Sequence, residues 1–409
     1  MKILVLNAGS SSQKSRLYGL GDSLPETAPS PLWEANADWG QHSGATTLKV
    51  KNNRGATVEE QLSTDARPEV IMRMLETLWR GKARVIEQAS DIDVVGHRVV
   101  HGGLEFEQST RVTPEVKEAI ARLAKIAPQH NPANLEGIEA IERILPSIPQ
   151  FAVFDTAFHS SMPLPNIVYP GPYAWFEQGI RRYGFHGISY QYCTRRAGQI
   201  LGRDVNSLRI IACHLGNGCS LAAIQNGHSI DTTMGFTPLE GLMMGSRSGS
   251  IDPGILLYLQ REKGQSAEDL DITLNKSSGL KGISGYSDMR QVLESMKGGD
   301  SRAGLAFDMF VHRLRFYIGA MLATLRGLDV LIFAGGIGEN AAAVRAAACE
   351  AFAFLGLKLD QQKNLQSPSD QDIASADSSV RVLIIHTEED WEIARECWGL
   401  AKIELTSAS

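Results

Sequence analysis

Three stretches of the chain end an apolar run in glycine and small polar residues, a composition that lets backbone N–H groups approach an anion closely. The first is Asn7-Ala8-Gly9-Ser10-Ser11-Ser12-Gln13-Lys14, in which Lys14 adds a point charge suited to a phosphate. The second is His214-Leu215-Gly216-Asn217-Gly218, and the third, Gly335-Gly336-Ile337-Gly338-Glu339, leads into an Ala-rich helical pattern from Asn340. Strand, glycines and helix start together present N–H groups to a phosphate or nucleotide, although such a turn can also be purely structural. No G-x-x-x-x-G-K-S/T motif occurs, so the first stretch is not a P-loop and reads equally well as a phosphate turn or a polar hairpin. His97 and His101 are spaced like a metal pair, but their place on a strand beside Gly102 and Gly103 favours structure.

The elements that must position these turns alternate between strand and helix signals. KILVLN reads as a strand, and Gly21 to Thr64, with Pro25, Pro29 and Pro31, reads as an irregular hairpin region or surface excursion. DIDVVGHRVVHGG is a buried strand ending in glycines. Thr113-Pro114-Glu115 opens a helix as N-cap, first-turn proline and first-turn acid, with Val116, Ile120 and Leu123 at helical spacing behind it. QFAVFDTAFH is a strand with a polar end at Asp155. SLRIIACHLGNGCSLAAIQNGHSIDTT then repeats the opening as strand, small-residue turn and strand, with an Asn226-Gly227 hairpin before a third strand. The repetition suggests a duplicated β-hairpin phosphate turn, one per domain, facing each other over a cleft. Arg302 to Arg326 carries a long helical pattern closed by Gly327.

A chain of 409 residues is too long for one core and predicts two domains. The formal net charge of −6 gives no reason to expect nucleic acid or an anionic membrane as partner. Asn7 stops the first apolar run well short of a signal-peptide core, and no run reaches transmembrane length, so a cytoplasmic protein is expected. The five cysteines, Cys193, Cys213, Cys219, Cys349 and Cys397, are scattered without C-x-x-C spacing and read as reduced packing residues.

NAGSSSQK, GHRVVHGG, FDTAFH, YGFHGISY, HLGNGCS, MGFTPLEGLMMGSRSGSIDP, AGGIGEN and TEEDWEIA, in that order across nearly the whole chain, resemble the motifs of the acetate kinase family. The resemblance implies an α/β fold of two duplicated domains like those of actin, Hsp70 and the sugar kinases (ribonuclease H-like) around an interdomain ATP cleft. It also implies reversible transfer of the ATP γ-phosphoryl group to acetate, giving acetyl phosphate and ADP. Residues 1–155 with a returning helix at 390–409 would form one domain, and 156–389 the nucleotide-binding one. Mg²⁺, with Mn²⁺ as an alternative, and a homodimer are implied as well.

Phosphoryl transfer asks for positioning and charge neutralisation, so Arg, His, backbone N–H and metal should dominate the site. By the resemblance, Arg98 grips the acetate carboxylate, Arg247 stabilises the transition state and His186 is a second donor to the phosphoryl oxygens. The alternative for the two arginines is an ordinary surface salt bridge. His130 and His214 align with histidines near the substrates. Val100, Phe185 and Pro238 would wall the methyl end of acetate. Ser12 and Lys14 would approach the triphosphate, with His214, Leu215, Gly216, Asn217 and Gly218 from the second domain. Gly335, Gly336, Ile337, Gly338 and Glu339 would line the adenosine pocket, with Asp288, Met289 and Arg290 beside them. Asn7 and Glu389 would hold the metal. Asp155 matches a position often described as an acid or base, yet acetate is already ionised near pH 7 and has no proton to lose; organising metal, its waters or Arg98 suits the chemistry better.

Three positions depart from the family pattern. Gln129 stands where a leucine usually walls the acetate methyl, Glu388-Glu389-Asp390 replaces Asn-Glu-Glu and leaves the ligand open between Glu388 and Glu389, and Tyr190 replaces the last histidine of F-H-G-T-S-H. A propionate or butyrate kinase would share this machinery, since one methylene in an apolar pocket is worth only about 1–3 kcal/mol. An ATP-gated binding module like Hsp70 would use the same cleft, but Arg98, His186 and Arg247 together argue against it, because a pure switch needs no anion-binding trio.

Overall fold

A computed structural model describes residues 1–9, 12–39, 44–128, 130–366 and 368–407. Ser10, Ser11 and Gln129 therefore lie outside the described residues. The chain divides into two compact units, Met1–Ala157 with Glu388–Ser409, and Phe158–Thr387.

The first unit is built on eight strands: β1 (Lys2–Ala8), β2 (Ser12–Gly19), β3 (Trp33–Asp38), β4 (Thr46–Asn52), β5 (Thr57–Leu62), β6 (Val94–Val99), β7 (Thr110–Arg111) and β8 (Gln150–Phe154). Their order is β5-β4-β3-β2-β1-β6-β8-β7, with β1, β6 and β8 parallel and the other pairs antiparallel. The segment read as an irregular hairpin region or surface excursion thus supplies three ordered antiparallel strands, the first of the two readings. Its prolines fall before Trp33, and from there buried residues alternate with more exposed ones through β3 and β4, the period of a sheet with one face covered. That face packs Leu4, Leu6, Trp33, Leu48, Val50 and Val95 against the helices Arg67–Trp79 and Asn131–Ile144. On the opposite face the helix Glu389–Ser407 approaches β6 so closely that a Cβ on Gly96 would lie 2.5 Å from Cys397 Sγ. The Thr113 hydroxyl caps the helix Pro114–Leu123, as its sequence predicts.

The second unit carries β9 (Arg209–Leu215), β10 (Cys219–Gln225), β11 (His228–Thr232), β12 (Val330–Ala334), β13 (Gln371–Asp372) and β14 (Arg381–Ile384) in the order β11-β10-β9-β12-β14-β13. Asn226 and Gly227 both have positive φ, the geometry of a tight hairpin turn. β3-β2-β1-β6-β8 and β11-β10-β9-β12-β14 share one topology: an antiparallel meander whose first strand is extended by two parallel strands. The duplication read from the two small-residue turns is therefore a duplication of the sheets that hold them. One local expectation is corrected. Gly335–Asn340 is itself a short helix starting at the end of β12, and Ala341 separates it from the helix Ala342–Glu350. All five cysteines are buried and unpaired by disulfide.

Candidate active site

In the first unit, the parallel strands β6 and β8 bring Arg98 and Asp155 together at their C-terminal ends, the usual position for functional groups in such sheets. Arg98 Nη2 donates to Asp155 Oδ2 at 2.8 Å, and Asp155 is only 1% exposed. Burial alone would lower the arginine pKa, but Asp155, Glu389 and Asp390 outweigh it and hold the guanidinium above its usual range. Its buried Nε has no hydrogen-bond partner among the described residues. An orphaned guanidinium donor beside a carboxylate that holds the other arm is a ready place for a small anion. Val100 is buried, and its N–H and that of His101 donate to Asn134 Oδ1 and Asn131 Oδ1, so the helix after His130 pins the strand end.

Asn7 is the penultimate residue of β1, where its Nδ2 donates to Asp390 Oδ1 at 2.8 Å, leaving the amide oxygen as the atom able to face a cation. Arg16 takes Glu388 at 2.8 Å and Asp390 at 3.3 Å. Glu388 is engaged by Arg16, whereas Glu389 helps to raise the pKa of Arg98. Asn7, Asp155 and Glu389 form an oxygen-only donor set, which fits a hard divalent cation. No cluster of three His, Cys, Asp or Glu able to hold a metal is found among the described residues. Lys14 lies opposite Asn7 across the β1–β2 pair and lines an open trough of about 440 Å³ with Arg16, Asn36, Lys49 and Lys51; Ser12 accepts from Gly9 N–H in the turn.

His97 and His101 do not face each other as ligands. His97 is hydrogen-bonded to Gln150 at 2.7 Å, and His101 Nδ1 accepts from Gly103 N–H at 2.9 Å.

In the second unit, His186, His214, Arg247 and Gly218 converge. The HLGNG turn closes β9 onto β10, with Gly216 N–H donating to Gly218 C=O. A Cβ on Gly218 would lie 3.4 Å from Arg247 Nη1 and 3.6 Å from His186 Nε2. His186 sits at φ +60 in front of the helix Gly187–Leu201, a left-handed conformation uncommon outside glycine. His159 holds it there from behind by bonding the Phe185 carbonyl at 3.0 Å. The His186 and His214 rings stack at 4.1 Å, and each Nδ1 meets a serine at 2.8 Å: Ser220 for His186, Ser189 for His214. Arg247 Nη1 donates to the Pro238 carbonyl, and no carboxylate pairs with Arg247 among the described residues. Burial pushes its pKa down, so this is a partly desolvated cation awaiting negative charge. Phe185 is buried in the same unit.

A cavity of about 630 Å³ opens beside this turn, lined by Gly216, Asn217, Asp288, Met289, Arg290, Gly336 and Ile337. Gly335 and Gly338 instead pack on Leu215 and Phe333, and the Glu339 carboxylate meets His386 at 2.7 Å. Buried Leu215 belongs to the strand end. Ser287, Leu293, Asn340 and Ala341 also line the cavity, Asn340 as the last residue of AGGIGEN. Ser220 and Ser189 stand in HLGNGCS and YGFHGISY, but that they meet the two histidines follows only from cross-strand register, Ser220 opposite His214, and from the helix start.

The chain is similar to known proteins over nearly its whole length. The acetokinase family pattern matches residues 2–395. The acetate kinase of Nostoc sp. (strain PCC 7120) is 62% identical over 404 residues, 98% of this chain and 100% of that protein. That of Gloeobacter violaceus is 62% identical over 401 residues, 97% of this chain and 99% of that protein. The crystal structure of Porphyromonas gingivalis acetate kinase superposes with a TM-score of 0.90 at 39% identity, covering 98% of this chain and 99% of that one. A propionate kinase from Francisella tularensis gives 0.88 at 38% identity, covering 97% and 99%.

Proposed function

We infer, from a chain that belongs to the acetokinase family and catalyses reversible phosphoryl transfer between ATP and acetate, how its own residues divide that work. Arg98 binds the acetate carboxylate, with Asp155 holding the guanidinium rather than moving a proton. A carboxylate oxygen then attacks the γ-phosphorus in line as the bond to the ADP oxygen breaks, and no proton is transferred. Arg247 and His186 Nε2–H donate to the phosphoryl oxygens where charge gathers. The HLGNG turn and the cavity from Asn217 to Ile337 take the nucleotide, with Lys14 and Ser12 approaching its phosphates. Mg²⁺, or Mn²⁺ in its place, supplies neutralisation of the phosphate charge when bound, and Asn7, Glu389 and Asp155 are the residues to hold it. Val100, Phe185 and Pro238 enclose the acetate methyl.

The observation that carries this reading is a pair of arginines with donor capacity to spare: Arg98 with an orphaned buried Nε, and Arg247 without a carboxylate. Buried, unpaired thiols and ATP as substrate support a cytoplasmic protein. We infer a homodimer too, because the helix Pro253–Lys263 buries none of its residues while carrying Ile255, Leu257 and Tyr258.

The test is ATP-dependent acyl phosphate formation trapped with hydroxylamine, for acetate, propionate and butyrate in parallel. Acetate should be preferred, and Arg98→Ala should lower kcat/KM for acetate by about a hundredfold, the worth of a charge-assisted pair. A preference for a longer acid would move the enzyme to a sister activity.

A further inference from the structure

His186 is held through two hydroxyls. Ser220 Oγ lies 2.8 Å from His186 Nδ1, and the Tyr190 hydroxyl makes a short hydrogen bond to the same Ser220 Oγ. Both Ser220 and Tyr190 are completely buried. Tyr190 stands in the helix Gly187–Leu201 one turn after His186, its N–H donating to the His186 carbonyl, so one helical turn fixes both residues. Ser220 comes from β10, opposite His214. His159 meets the Tyr190 ring edge to face at 5.6 Å and bonds the Phe185 carbonyl, which further fixes the phenol.

We propose that Tyr190 is a positioning residue for phosphoryl transfer, acting through Ser220 to lock His186 as the neutral tautomer with its proton on Nε2. This rests on the phosphoryl-donor role assigned above to His186. The directions follow from counting protons. A buried phenol must place its O–H on an acceptor, and Ser220 Oγ is that acceptor. A serine hydroxyl has one proton, and having accepted from Tyr190 it donates its own to His186 Nδ1. Nδ1 is then an acceptor, which leaves the ring proton on Nε2, the atom that converges with Arg247 Nη1 on Gly218. In the reverse direction Ser220 would donate to Tyr190, leaving the phenol proton to find another acceptor in a closed interior and turning a lone pair of Nε2 toward the phosphate. Burial also holds the Tyr190 phenol well above its usual range, so it stays protonated and able to donate. The stacked His214 disfavours a charge on both rings at once, because two imidazolium rings at 4.1 Å would repel. A neutral His186 with a fixed Nε2–H is a donor that needs no reorientation as charge develops.

The experiment uses the full-length protein and three variants, Tyr190→Phe, Ser220→Ala and the double substitution, with two readouts. In histidine-selectively ¹⁵N-labelled protein, with His186→Gln to assign the signal, the parent should show His186 as the Nε2–H tautomer. Tyr190→Phe and Ser220→Ala should mix in the Nδ1–H form. In the hydroxylamine assay Tyr190→Phe should lower kcat about tenfold while the KM values for ATP and acetate stay within twofold, and the double variant should be no slower than Ser220→Ala alone. An unchanged tautomer, losses that multiply, or a lower thermal midpoint with kcat intact would each overturn the proposal and reduce Tyr190 to packing. If the parent makes no acyl phosphate from any acid, the kinase reading falls, while the tautomer spectra still decide the relay.

Discussion

Arg98 and Arg247 carry the same guanidinium but are held in opposite ways. Asp155 grips one, whereas the other leans on the Pro238 carbonyl and meets no carboxylate among the described residues. The identities of both were legible because each stands in a stretch that resembles a family motif, GHRVVHGG and MGFTPLEGLMMGSRSGSIDP. That Asp155 organises Arg98 was among the roles expected of it, although the two are 57 residues apart and meet only through the β6–β8 register. What Arg247 leans on was not legible, nor was the bond from Ser220 to His186, which is 34 residues away. His97, spaced like a metal ligand but read from its strand setting as structural, is buried and bonded to Gln150. Burial pushes its pKa down to about 4, with the Gln150 hydrogen bond opposing only in part. Burial also pushes His101 down to about 4. In the unfolded chain both would titrate near 6.5. Between these values the unfolded state binds protons that the native state refuses, so stability is lost as pH falls from about 6.5 towards 4, by up to about 3 kcal/mol for His97. The urea midpoint of the parent should therefore fall between pH 7.5 and 5, and His97→Gln, which can still bond Gln150, should flatten that slope. An equal slope in the variant would mean that His97 is not the group responsible.

At the scale of elements, the strands flanking each glycine turn and the helix capped by Thr113 were readable, because their signals are local. The three strands between Trp33 and Leu62 were not, because alternation built on Ala, Thr and Lys is weak beside three prolines and several glycines. The glycines of AGGIGEN divide by what surrounds them. Gly335 has φ +75, and a Cβ there would come within 2.9 Å of the Leu215 carbonyl oxygen, in the strand end that carries the HLGNG turn. Gly336 lines the cavity beside the HLGNG turn, with open space where a Cβ would go. Gly335→Ala should thus cost about 1–3 kcal/mol from backbone strain and a clash that nothing flexible can relieve, whereas Gly336→Ala should leave the denaturation midpoint unchanged. The KM for ATP should rise with Gly335→Ala, since the short helix would shift against β9. Equal midpoints for the two variants would show that the close approach at Gly335 carries no strain.

For the molecule as a whole, the duplicated strand order explains why both small-residue turns end the first strand of a five-strand motif, and why the repeat was visible in sequence before the sheets were. One surface has no explanation within a single chain. In the helix Ser301–Leu325, Leu305, Met309 and Phe316 recur along one side and are 52%, 37% and 58% exposed. Arg313 on the same helix bonds the Ser250 carbonyl, and Tyr317 bonds the Ser250 hydroxyl, which brings Ile251 and the start of the helix Pro253–Lys263 alongside. That helix exposes Ile255, Leu257 and Tyr258 and contributes nothing to the core. Apolar residues gathered on neighbouring helices without a covering element favour association with another surface, and a second copy of the chain is self-complementary about a two-fold axis. Sedimentation equilibrium at micromolar concentration should accordingly give twice the 44.5 kDa chain mass. Replacing Leu257 and Phe316 together by Glu should release single chains with unchanged far-UV circular dichroism, because neither side chain supports the fold of its own unit. A parent that sediments at the mass of one chain would rule out the dimer, and a variant that remains dimeric would move the interface away from these two helices.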